Sequence, residues 1–166
     1  MSGARRRSFE TGHRPKFLVV IDPTPECGKA LRFAARRAAR TGAVLTLLAL
    51  TTPPDEFEWL GIEEAMLAEA EEEAAQLLAA ASASARAAAG LEPETVIRVG
   101  EKAAEVQALI HEDPDISFLV LAAGAGKDEP GPLVSTLVSK LASTFPIPIV
   151  IVPGSLSDEE IDALAG

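Results

Sequence analysis

Two kinds of hydrophobic pattern take turns along this chain. Five short segments are rich in apolar and β-branched residues: KFLVVID at 16–22, AVLTLLAL at 43–50, ETVIRV at 94–99, ISFLVLA at 116–122 and IPIVIV at 147–152. Each has the length and composition of a strand. Between them, apolar residues recur at helical spacing. Leu31, Ala34, Ala35 and Ala38 follow Pro23-Thr24-Pro25-Glu26, with Thr24 as expected N-cap, Pro25 as first helical residue and Gly42 as stop. An Ala/Glu-rich helix is expected over about 62–89, with Met66, Ala70, Ala74 and Leu77 turned inward and Gly90 at its end. Gly100 opens a third helix that carries Val106, Leu109 and Ile110 on one face, and Val134, Leu137, Val138 and Leu141 mark a fourth. Ser157 and Glu160 are spaced as a capping box for a short last helix.

Strands that alternate with helices imply a parallel sheet with right-handed crossovers. The first two runs are apolar without alternation, which suits strands buried on both faces. The 166 residues fit one domain. The expected division is a disordered basic leader at 1–15, a folded domain at 16–154 and a short C-terminal helix at 155–166. Cys27 is the single cysteine, which rules out an intramolecular disulfide. No apolar run approaches the ~20 residues of a membrane helix. The chain therefore reads as soluble and cytoplasmic. Formal charge is −10, and its distribution is uneven: residues 1–16 carry five cations against Glu10, a net +4 that leaves −14 for the remainder. A body that acidic repels nucleic acid and anionic lipid, so neither is expected as a partner.

Chemistry concentrates in one loop. After the fourth run comes Ala122-Ala123-Gly124-Ala125-Gly126-Lys127-Asp128-Glu129-Pro130, then Ser135 and Thr136 in the next helix. Glycines permit close backbone approach to a phosphate, a lysine adds charge, and hydroxyls near a helix start donate hydrogen bonds. The P-loop spacing fails, because Leu121 stands where its first glycine belongs and Asp128 where its Ser/Thr belongs. The dinucleotide fingerprint fails at Glu129. Pro130 and Pro132 remove N–H donors, and Asp128 and Glu129 oppose Lys127. No HExxH, CxxC or Ser/His/Asp pattern is present, and His111 reads as a helix-end residue. No catalytic residue is assigned; at most a slow ATPase is expected.

A strand, a glycine loop, Ser/Thr and a helix, followed by a Pro-Ile-Pro-Ile-Val-Ile-Val strand, resemble the universal stress protein family. So do Leu18-Val19-Val20-Ile21-Asp22, the helix residues Ala30-Leu31-Phe33-Ala34, and Val99-Gly100-Glu101. The resemblance covers residues 16 to about 154. It implies a doubly wound, five-stranded parallel α/β sheet of order 3-2-1-4-5, of the adenine nucleotide alpha hydrolase-like kind. With Pro148 as anchor, the family's three loop glycines fall on Ala122, Ala125 and Ser135, and its Ser/Thr on Thr136. None of the three is in place; Gly124 and Gly126 stand beside those positions. The resemblance implies that Asp22 meets the adenosine part of a ligand, that Leu50 packs on the base, and that Gly124, Gly126, Lys127, Ser135 and Thr136 hold phosphate. The implied ligand is ATP or AMP, with Mg²⁺ beside a triphosphate. It also implies a homodimer through the last strand, 147–152. The alternative is a family member that binds no nucleotide and acts as a dimeric interaction module.

Three further features stand apart. Cys27 reads as a buried small hydrophobe in the first helical turn. Arg32, Arg36 and Arg40 form a stripe that Glu69 to Glu73 are expected to balance. Trp59, with Phe57 and Leu60, forms an apolar cluster in the loop before the long helix.

Overall fold

A computed structural model describes residues 5–52, 60–124 and 131–166. Five strands, β1 (Lys16–Ile21), β2 (Val44–Thr51), β3 (Glu94–Val99), β4 (Ile116–Ala123) and β5 (Ile149–Pro153), form one sheet of order β3-β2-β1-β4-β5. All four pairings are parallel. Helices α1 (Cys27–Thr41), α2 (Leu60–Ala89) and α5 (Asp158–Ala165) cover one face. Helix α3 (Lys102–Glu112) and the short α4 (Pro132–Ser135), continued by a π-wound turn over Thr136–Lys140, cover the other.

The central strand explains its own sequence. Phe17, Val19 and Ile21 enter the core under α1, and Leu18 and Val20 enter the core under α3. A strand between two apolar layers has no face for polar residues. β4 divides its residues the same way with one irregularity. Lys16 pairs with Ile116 and Phe17 with Phe118, so Ser117 is an extra residue, and its hydroxyl donates to the Lys16 carbonyl at 3.3 Å. This bulge switches face parity, which puts both Ile116 and Leu119 on the α3 side.

Helix ends follow the sequence at most places. Gly42 adopts φ 75° as the left-handed cap of α1. Glu101 caps α3 by accepting from the Ala103 and Ala104 amides at 3.0 and 2.8 Å, and those bonds hold its carboxyl below the usual range. Ser157 and Glu160 form the capping box of α5. Thr24 is not the cap of α1. That position falls to Glu26, which makes no side-chain capping bond, because the Thr24 amide and hydroxyl turn back to Asp22.

Several packing expectations need correction. Met66 is 40% exposed rather than inward, whereas Ala74 is buried and Leu77 packs against the core as expected, with Leu78, Ala81 and Ala85 completing the inner side of α2. Val138 is also outside the core, because the π-wound turn abandons the 3.6-residue period that linked it to Val134 and Leu137. Arg32 and Arg36 of the arginine stripe are balanced by α5, not by Glu69 to Glu73. Arg32 makes a two-pronged bond to Asp162 with both contacts at 2.7 Å, and Arg36 reaches the same carboxylate at 3.1 Å. Residues 5–15, expected as a disordered leader, instead bind the end of the sheet where the strands begin. The Arg6 guanidinium donates to the carbonyls of Ile110, Asp113 and Ile116, His13 Nδ1 lies 2.7 Å from Asp115, and the Val44 amide donates to the Pro15 carbonyl at 2.9 Å. The Phe57 and Trp59 cluster lies outside the described residues.

At the other end of the sheet, three elements meet at Gly154. Its amide donates to the Ala123 carbonyl at 2.8 Å, and a Cβ there would lie 2.7 Å from that oxygen and 3.0 Å from the Glu26 Cβ. Neither neighbour is the free end of a flexible side chain. Gly154→Val is therefore expected to destabilise the fold by about 1–3 kcal/mol, the cost of overpacking a fixed contact. Urea denaturation at neutral pH measures this, and an unchanged midpoint would show that the β4–β5–α1 junction yields freely.

Candidate functional site

Strand order reverses its direction of growth between β1 and β4. The chain leaves β1 toward α1 on one face, while α4 packs on the other, so the strand ends part to leave a crevice. A cavity of about 570 Å³ opens there, within the range of small-molecule sites. Its floor is the ends of three strands: Val20 and Ile21 of β1, Ala49 and Leu50 of β2, and Leu121 and Ala122 of β4. The turn after β1 brings Asp22, Thr24, Glu26 and Cys27. Helix α2 contributes Ala70, Glu73, Ala74 and Leu77, α3 contributes Lys102, and the start of α4 contributes Gly131, Pro132, Leu133 and Val134.

Asp22 is held by an Asx turn. The Thr24 amide donates to its Oδ1 at 2.9 Å, and the Thr24 hydroxyl donates to the same oxygen. Both bonds use Oδ1. Thr51, the last residue of β2, is 8% exposed and lines the cavity; its Oγ1 has no hydrogen-bond partner among the described residues. A buried hydroxyl without a partner is uncommon enough to need a reason. Gly131 takes φ 108°, a conformation that side chains disfavour, as the chain enters α4.

Cys27 is buried beside this wall, with Sγ 3.6 Å from the Val20 carbonyl. Burial pushes its thiol up to about 11 against an opposing hydrogen bond from the Asp22 backbone, and the Asp22 and Glu26 charges add to the rise. The thiolate is thus strongly disfavoured, and the residue acts as a small hydrophobe.

The site residues expected from sequence separate into three groups. Asp22 and Leu50 meet at the cavity. Gly124, Ser135 and Thr136 are not among its walls; Ser135 is exposed, and its carbonyl accepts from the Ser139 hydroxyl. Gly126 and Lys127 lie outside the described residues. Sequence reasoning missed Thr51, Glu73, Lys102 and Gly131. Thr51 and Lys102 carry a readable signal, one ending a strand and the other following a capping glutamate. Glu73 does not, since it is one of several acids along α2.

The sequence profile of the universal stress protein family matches residues 13–153. This chain belongs to that family. No curated protein sequence matches it significantly. Among solved structures, universal stress protein UspA from Lactobacillus plantarum is similar over 83% of this chain and 97% of its own, at 17% identity and a TM-score of 0.69. A universal stress protein in complex with cAMP covers 85% of this chain and 98% of its own, at 18% identity and a TM-score of 0.60. The universal stress protein from Archaeoglobus fulgidus in complex with dAMP covers 82% and 96%, at 15% identity and a TM-score of 0.56. Identities this low establish the shared fold.

The state of Cys27 gives a direct check. The thiol is expected to stay unreactive toward a disulfide reagent at pH 8 in the native protein and to react fully once the chain is unfolded. Because its folded value lies above the unfolded value of 9.0, its contribution to stability is full below pH 9 and is lost as pH rises toward 11. Rapid labelling of the native protein at pH 8 would mean that the α1 turn is open.

Proposed function

We propose that this member of the universal stress protein family is a cytoplasmic stress-response module that binds an adenine nucleotide at the ends of β1 and β4. One observation carries the reading: the cavity at the strand-order switch is bounded by Asp22 and Leu50, the residues that the family resemblance assigns to adenosine. With Asp22 Oδ1 engaged by Thr24, Oδ2 is the oxygen left to accept from a base amine or a ribose hydroxyl. Leu50, Leu77 and Leu133 offer apolar surface for a purine face. Relatives of the same fold that hold cAMP and dAMP support the ligand class.

The phosphate role proposed for Gly124, Gly126, Lys127, Ser135 and Thr136 remains part of the same reading, with ATP or AMP as ligand and Mg²⁺ beside a triphosphate. The partner proposed is a second copy of the chain, joined through the last strand. β5 is an edge strand with Ile151 37% exposed, and an open apolar edge invites pairing with another strand. Nucleic acid and membrane are not proposed, in keeping with the acidic body; among the described residues no helix is long and apolar enough to cross a membrane. No turnover is proposed beyond a slow ATPase.

The test is to denature freshly purified protein, identify released nucleotide by mass spectrometry, and measure thermal shifts with AMP and ATP. A released adenine nucleotide, or a melting temperature that climbs with ligand concentration and loses that rise in Leu50→Asp, is the expected result. Absence of both would favour the module that acts through its dimer edge alone.

A further inference from the structure

We infer that this cavity selects its adenosine ligand by charge, accepting the nucleoside and its mono- or cyclic phosphate and rejecting the metal-free triphosphate. The inference rests on the adenine-nucleotide reading above and specifies which members of that class the site takes. Its basis is the balance of charge on the cavity walls. Among the described residues three carboxylates line it, Asp22 after β1, Glu26 at the start of α1 and Glu73 on α2, against one ammonium, Lys102.

The positions of these acids matter as much as their number. A helix N-terminus is the usual place for a phosphate, since its free amides and dipole favour an anion. At α1, Glu26 already occupies the N-cap position, and Asp22 precedes it in the turn. The start of α4 carries Pro132, which has no amide hydrogen to offer. Lys102 enters from α3, on the opposite face of the sheet from α1 and α2. One ammonium can satisfy one phosphate group; further phosphates would lie among like charges. The neutral part of a ligand has better partners. Thr51 Oγ1 is buried and unpartnered among the described residues, and a ring nitrogen or hydroxyl suits it.

The experiment is isothermal titration of the full chain with adenosine, cAMP, AMP and ATP in EDTA at low ionic strength, repeated at higher salt. Affinity should fall as ligand charge rises, with ATP weakest. Added salt should strengthen ATP binding by screening repulsion while adenosine changes little, and excess Mg²⁺ should narrow the gap. Glu73→Gln should raise the ratio of ATP to adenosine affinity by about threefold, and Lys102→Gln should lower the ratio of AMP to adenosine affinity by a similar factor, the size expected of partly screened single charges. ATP as the tightest ligand, weakened by salt, would overturn the inference and leave the nucleotide reading standing. Failure of every ligand to bind would overturn both.

Discussion

Burial of β1 on both faces is the constraint from which the rest of the molecule follows. With β2 and β4 on its flanks and helices above and below, the strand commits every side chain from Phe17 to Ile21 to a core. Those five residues must then be apolar, and the chain must leave the strand at a point where neighbouring connections diverge. The crevice is the geometric consequence: α1 goes to one face, α4 lies on the other, and nothing from the sheet fills the space between. The cavity is therefore a product of topology.

The described walls of the cavity are acidic. The turn after β1 places Asp22 and Glu26 on the wall, and α2 adds Glu73, in a chain whose body is already acidic. Elsewhere the same excess of acid is used structurally. Asp162 joins α5 to the arginines of α1, Glu94 and Asp113 hold Lys16 at 2.8 and 2.9 Å, and Glu112 pairs with Arg98. These pairs are partly exposed and individually modest in energy. Their value lies in fixing which strand or helix sits against which. The carboxylates at the cavity make no ion pair among the described residues, which marks them as available to act on a ligand.

The fold was legible because its signals are local and repeated. Unbroken apolar runs announced buried parallel strands, and Gly42, Gly100 and the Ser157–Glu160 pair marked helix ends by chemistry that acts within a turn. What escaped depends on contacts distant in sequence. No local pattern reveals that Ser117 is a bulge, because its role exists only beside Lys16. Thr24 looks like a helix cap until Asp22 competes for its amide. The arginine stripe looks like a solvated face until α5, about 130 residues away, supplies Asp162. The docking of Arg6 on three carbonyls near residue 113 is invisible for the same reason. At the site, Asp22 and Leu50 were found through the family resemblance, whereas Thr51, Glu73 and Lys102 required the three-dimensional wall.

The central claim is that the cavity between β1 and β4 is where an adenosine ligand sits. Backbone amide NMR of the labelled chain, titrated with AMP, tests it most directly. The account predicts saturable shifts confined to Asp22, Leu50, Thr51, Lys102 and the start of α4, with the Arg6 region unmoved. Shifts that cluster instead along β5, or none at all at saturating AMP, would contradict it.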